Sequence, residues 1–167
     1  MKKIVLICLA MVLALGLLGV GYARWQDELF LQGEVGTGNI GLAWSQGIPS
    51  APDDVKGVSQ YYCAIVGDTL YIYISNAYPC VTYIFPIDVH GTGSVPVHIG
   101  PWTNVTSNLP GGTLTLPDWC SNQVHEGGQV DGEVTVHLDN TAEQNATYTF
   151  SATLTYAQYN EPLDCPQ

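Results

Sequence analysis

Residues able to do chemistry are few in this chain and widely spaced. Four histidines, His90, His98, His125 and His137, and fifteen Asp and Glu residues are the candidates for metal or acid–base work. A catalytic zinc helix needs two histidines one helical turn apart, with a glutamate directly after the first. Here His125-Glu126 runs into Gly127-Gly128, which supply no second ligand, and no helical apolar period surrounds them. The histidines fall on separate segments, so no metal centre is expected. A nucleophilic serine would sit on a Gly-x-Ser-x-Gly elbow, and none occurs; the cysteines after the N-terminal stretch are expected to be paired. The expectation is a protein that is not an enzyme.

Binding chemistry has more material. Asp53, Asp54, Asp118, Glu126, Asp131, Glu133, Asp139 and Glu143 fall in loops or at strand ends, the setting in which oxygen ligands suit calcium. They lack EF-hand spacing, so calcium is expected at most to screen repulsion between copies. Trp102, Trp119, Tyr61, Tyr62 and Tyr159 are the aromatics of a conceivable carbohydrate site, although in a β fold such rings mostly pack. Asn104-Val105-Thr106 and Asn145-Ala146-Thr147 are acceptor sequons for N-glycosylation in loop-like settings.

Compartment and charge narrow the classes further. Lys2 and Lys3 precede an uncharged apolar stretch from Ile4 to about Val20, and Gly21-Tyr22-Ala23 offers the small residues that a signal peptidase reads. Residues 1–23 are therefore expected to be a cleaved signal peptide, with an uncleaved membrane anchor as the alternative. The remainder, 24–167, is one domain with no membrane segment of its own. It keeps Arg24 and Lys56 against fifteen acids, a formal charge of −13, which repels nucleic acid. Cys8 leaves with the signal, and Cys63, Cys80, Cys120 and Cys165 remain. Four cysteines in an exported chain read as two disulfides with three possible connectivities. Cys80 with Cys120 and Cys63 with Cys165 is the pairing carried forward.

The elements that must position these residues are strands. From Thr147 to Ala157, Tyr148, Phe150, Ala152, Leu154 and Tyr156 fall on one face and a row of Thr and Ser on the other. Glu133 to Asp139 repeats this with Val134, Val136 and Leu138 inward. Leu70 to Ile74 and Val81 to Val89 read as central strands joined by the turn Asn76-Ala77-Tyr78-Pro79. His90 to Ser94 is a second turn, before Val95, Val97 and Ile99. Pro86 and Pro96 imply an unpaired or bulged backbone beside them. Glu28–Val35 and Asn39–Trp44 are the first expected strands, and 47–56 a loop. Seven or eight short strands predict an all-β, two-sheet sandwich of jelly-roll or Greek-key type.

Three stretches, taken in order, resemble an exported β-sandwich family that includes the biofilm fibre protein TasA, camelysin and archaeal bundling pilins. They are Trp25 to Gly38, with its aromatic-x-Asp-x-hydrophobic and Gly-x-Val-x-Thr-Gly opening; Leu70 to Cys80 together with Gly91 to Val97; and Ala142 to Phe150. The resemblance implies a secreted subunit that polymerises head to tail with copies of itself by donor-strand complementation. Residues 24–32 are then the donor strand, with Trp25, Leu29, Phe30 and Leu31 as its anchors; alternatively, they form the first strand of their own sandwich. The cysteines depart from many family members. A different class, a monomeric disulfide-bonded surface module that binds a ligand or carbohydrate through its loops, is the alternative.

Overall fold

Alternating apolar residues become strands because one face of each can be buried while the other meets water. The computed structural model describes residues 2–22 and 36–165, and falls into two units, Met1–Gly36 and Thr37–Gln167. The first unit carries the helix α1 (Lys2–Tyr22), whose apolar side chains between Ile4 and Leu15 are exposed.

The second unit holds nine strands among the described residues. These are β1 (Leu42–Gln46), β2 (Gln60–Val66), β3 (Thr69–Ala77), β4 (Thr82–Gly91), β5 (Val97–Ser107), β6 (Gly112–Thr115), β7 (Gln123–Val124), β8 (Gln129–Leu138) and β9 (Ala146–Gln158). They form two antiparallel sheets, β1-β4-β8-β6 and β2-β3-β9-β5-β7, so the fold is the two-sheet sandwich expected. Leu70, Ile72 and Ile74 of β3 and Tyr148, Phe150 and Leu154 of β9 face Tyr83, Phe85 and Ile87 of β4 and Val134, Val136 and Leu138 of β8, all buried. Among the described residues the core, with the partly buried residues packed on it, runs from Leu42 to Tyr156, inside the second unit. A segment that carries its own core in this way is an independent folding unit.

Of the two prolines expected within strands, Pro86 is in one and Pro96 falls just outside. Pro86 lies inside β4, a central strand, and has no N–H to give. The chain alongside pairs Gln46 with Ile87 and then Ser50 with Ile84, so one extra residue bulges out opposite the proline. Pro96 stands just before β5 and only accepts, from the Tyr159 N–H at 3.2 Å. The turn after β4 passes so close to residues 39–41 that a Cβ on Gly93 would lie 2.4 Å from the Asn39 carbonyl oxygen, which is why glycine stands there.

Three expectations are corrected. The first strand of the sandwich among the described residues is Leu42–Gln46 rather than Asn39–Trp44, and Glu28–Val35 lies outside the described residues. β3 continues through Asn76, in the left-handed region at φ 50°, to Ala77, so the turn falls later, around Pro79 and Cys80. The disulfide is Cys120–Cys165, with Cα atoms 5.8 Å apart; Cys80 with Cys120 and Cys63 with Cys165 are not bonded. Leu163 packs over Gly100, so the tail crosses β5 and brings Cys165 to the turn that carries Cys120. Cys63 points into the core from β2 and Cys80 is exposed in the β3–β4 turn; both are free thiols.

Candidate functional site

Sheet pairing assembles three constellations from residues distant in sequence. The first is a tryptophan trio. Trp44 comes from β1, Trp102 from β5, where its register partner Leu154 faces the core, and Trp119 from the segment before β7. Their ring centroids lie 5.8, 6.2 and 5.8 Å apart, within the range of favourable tilted aromatic contact. Two of the three indole donors are used internally: Trp102 Nε1–H donates to the Pro117 carbonyl at 2.9 Å and Trp119 Nε1–H to the Asp131 carbonyl at 3.1 Å.

Beside the trio lies an open groove of about 250 Å³, walled by Pro101, Trp102, Leu116, Pro117, Trp119 and the disulfide residue Cys120. Asp118 is the one charged side chain on its wall, and its carboxylate accepts from the Cys120 N–H at 3.3 Å. The groove can seat an apolar ring or the flat face of a sugar. It offers no nucleophile and no acid–base pair.

The second constellation has the residue types of acyl transfer in the wrong order. On the outer face of β1 and β4, Ser45 Oγ–H donates to Asp88 Oδ1 at 2.6 Å, and His90 Nδ1 stands 3.9 Å from the other carboxylate oxygen. A catalytic serine must instead donate to the imidazole, with the carboxylate behind it. This trio therefore lacks an activated hydroxyl. The spacing Asp88-x-His90 on one strand face was a legible half of it; Ser45 enters only through the β1–β4 register.

The third constellation explains Tyr78 of the Asn-Ala-Tyr-Pro run. Its hydroxyl donates to Asp54 Oδ1, which also accepts from the Gly57 N–H at 2.7 Å, while Oδ2 accepts from the Ser59 N–H at 3.1 Å. Ser59 Oγ is 2.9 Å from the Tyr83 hydroxyl, and the Lys56 ammonium lies 5.2 Å over the Tyr78 ring. The network pins the loop between the two sheets to the β3–β4 turn. Partial burial on its own would raise the Asp54 pKa, but the hydrogen bonds from Tyr78, Ser59 and Gly57 outweigh it and hold the carboxyl below its ordinary value.

A carboxyl whose folded-state pKa is depressed stabilises fully above its unfolded value, and that contribution is lost as pH falls through the lowered folded value. Asp54→Asn is therefore expected to cost no more than about 1 kcal/mol at neutral pH, because the site is only partly buried and solvent screens its charge. The variant's stability should also change less than the parent's between neutral pH and pH 3. Urea titrations at a series of pH values check both; equal slopes in parent and variant would remove the carboxylate from the account.

The remaining sequence candidates disperse. His98 and His125 stand apart from the two His–Asp contacts, His90–Asp88 and His137–Asp139, each 3.9 Å. No group of three or more His, Cys, Asp or Glu side chains converges among the described residues, so the loop acids proposed for calcium are not brought together there. Tyr61 turns inward, edge-on to Tyr83 and Phe85, whereas Tyr62 turns outward and stacks on Tyr73 at 5.1 Å. Tyr159 is exposed, so only Trp102 and Trp119 of the sugar-site aromatics meet. Asn104 and Asn145 are both exposed and both in the left-handed region, at φ 49° and 58°. Asn104 sits where the β5–β9 register shifts between Thr103 and Thr106. Trp25, Leu29, Phe30 and Leu31 lie outside the described residues.

The fold defines the class at this level: an all-β, two-sheet sandwich that carries one disulfide, Cys120–Cys165, among the described residues. Comparison with protein-family models, with curated proteins and with solved structures finds no match.

Proposed function

We propose that this chain is a secreted structural subunit, related to the TasA-like fibre proteins, that polymerises into extracellular filaments or a cell-surface matrix by donor-strand complementation. Residues 1–23 act as the export signal, and residues 24–32 of one copy, anchored by Trp25, Leu29, Phe30 and Leu31, complete a sheet of the next. The protein works without catalysis and without a resident cofactor. Head-to-tail contact of this kind does not close on itself and so yields a thread.

The observation that supports this reading best is that, among the described residues, both sheets end in open edges, β1 and β6 in one and β2 and β7 in the other, each with a strand on one side alone. An extended segment carrying apolar side chains can add to such an edge, pairing its backbone and covering its apolar face. A disulfide agrees with export, and a −13 surface keeps the copies soluble before assembly.

Negative-stain electron microscopy of oxidised 24–167 beside 33–167 tests the proposal. Threads are expected from the first protein, and none from the second. Single particles from both, across protein and calcium concentrations, would overturn the fibre reading. The groove beside Trp102 and Trp119 favours the second reading, a monomeric module that binds an uncharged carbohydrate; its mark would be quenched tryptophan fluorescence on adding glycans to such single particles.

A further inference from the structure

The two sheets divide the charge of the chain unequally. In the four-stranded sheet, Asp88, Asp131 and Glu133 lie on the outer face. In the five-stranded sheet, no strand contains a single Asp, Glu, Lys or Arg. A domain of this acidity ordinarily spreads charge over both faces. Here one whole sheet is free of it.

Among the described residues that sheet ends in an open edge. β2 pairs with β3 on one side, and no further backbone hydrogen bond to β2 occurs among the described residues. It is the longest of the four edge strands among the described residues, seven residues against five for β1, four for β6 and two for β7. Its sequence, Gln-Tyr-Tyr-Cys-Ala-Ile-Val, has none of the protections that edge strands carry: no lysine, no proline, no charge of any kind. The side chains beside the edge are apolar and open to solvent, with Tyr62 55%, Val66 67% and, on β3, Tyr71 48% exposed.

From this we infer that two copies of the chain pair edge to edge through β2, antiparallel across a two-fold axis at Cys63, joining their five-stranded sheets into one of ten strands. In this register Gln60 meets Val66 of the second copy, Tyr61 meets Ile65 and Tyr62 meets Ala64, so all seven residues find partners over about 23 Å of strand. Charge decides for a second copy over other occupants. Two bodies of the same strong negative sign can approach closely only where neither carries charge, and β2 is such a place. Beyond the strand, the turn bearing Asp68 arrives at the level of Val58 of the second copy, two residues from Lys56. Lys56 is the only Lys or Arg in residues 37–167, and the two-fold axis makes that contact twice. The donor segment, which carries Asp27 and Glu28, has no such complement along β2.

The pairing goes beyond the fibre reading and does not depend on it, because it links copies sideways and needs nothing from residues 24–32. The test uses the unit 37–167, which carries its own core and lacks the donor segment. Sedimentation velocity over a range of concentrations is expected to show a monomer giving way to a species of twice the mass. Hydrogen exchange should slow at alternate amides of 60–66 as concentration rises. Ala64→Lys and Ala64→Glu, which place a charge on the edge, should both leave a monomer with unchanged far-ultraviolet circular dichroism. A monomer at every concentration overturns the inference, as does a dimer indifferent to both substitutions. Protection of β2 only on adding a peptide of residues 24–35 also overturns it, and assigns the edge to a donated strand.

Discussion

Replacing Cys165 with serine is expected to lower the unfolding free energy of the oxidised protein by about 2–4 kcal/mol, the range typical of a native disulfide. The bond joins residues 45 apart in sequence, and loop-closure entropy for a loop of that size approaches about 4 kcal/mol. The tail it holds has few other attachments. Leu163 rests over Gly100, Ser121 Oγ lies 3.2 Å from the Cys165 sulfur, and beyond β9 the tail's backbone bonds are those of Tyr159 to Pro96 and two short turns. Urea unfolding of parent and variant, with and without reductant, checks the value. Reductant should bring the parent down to the variant and leave the variant almost unmoved. Peptide mapping of the oxidised parent should recover Cys120 linked to Cys165, with Cys63 and Cys80 as thiols. In native protein Cys80 should alkylate well before Cys63, because Cys63 is buried and burial pushes its pKa up.

That pairing marks the limit of what the sequence made legible. Alternation gave β9 nearly to its ends and β8 from Glu133 onward but not its first four residues, since Val134, Val136 and Leu138, and Tyr148, Phe150 and Leu154, are buried as the pattern requires. Pro86 announced its bulge, because a missing donor must face something that does not need it. β2 was not legible. Its outward residues Tyr62, Ala64 and Val66 are as apolar as the inward ones, so the period-two signal that marks a half-wet strand is absent. β6 begins at Gly112, directly after Gly111, and the Gly-Gly pair reads as a turn. The disulfide and the tryptophan trio depend on which strands become neighbours, and sequence separation carries no record of that. The uncharged sheet was visible residue by residue, yet it acquires meaning only once β2, β3, β5, β7 and β9 are known to lie side by side.

Trp119→Ala should be the most damaging single substitution among the residues of the groove, costing about 3–5 kcal/mol, the range for removing a large buried aromatic. Trp119 is 3% exposed, touches both Trp44 and Trp102, and does work that a hydrophobic residue alone would not. β6 pairs with β8 only from Thr135 to Leu138, and among the described residues the earlier half of β8 has no strand on that side. The Trp119 indole fills the place and donates to the Asp131 carbonyl that a neighbouring strand would otherwise satisfy. Gly132 is part of the same arrangement, since a Cβ there would stand 2.8 Å from the indole ring. Two further substitutions separate the contributions. Trp119→Phe keeps part of the ring and loses the donor, so it should cost about 1 kcal/mol for the hydrogen bond plus the cavity that the smaller ring leaves. Gly132→Ala keeps the indole but drives it off the strand, with an expected loss of about 1–3 kcal/mol. Denaturant unfolding ranks the three, and β8 amide exchange should quicken around Asp131 in each. If Trp119→Ala costs less than Gly132→Ala, the indole is a surface plug and not the strand substitute that its hydrogen bond describes.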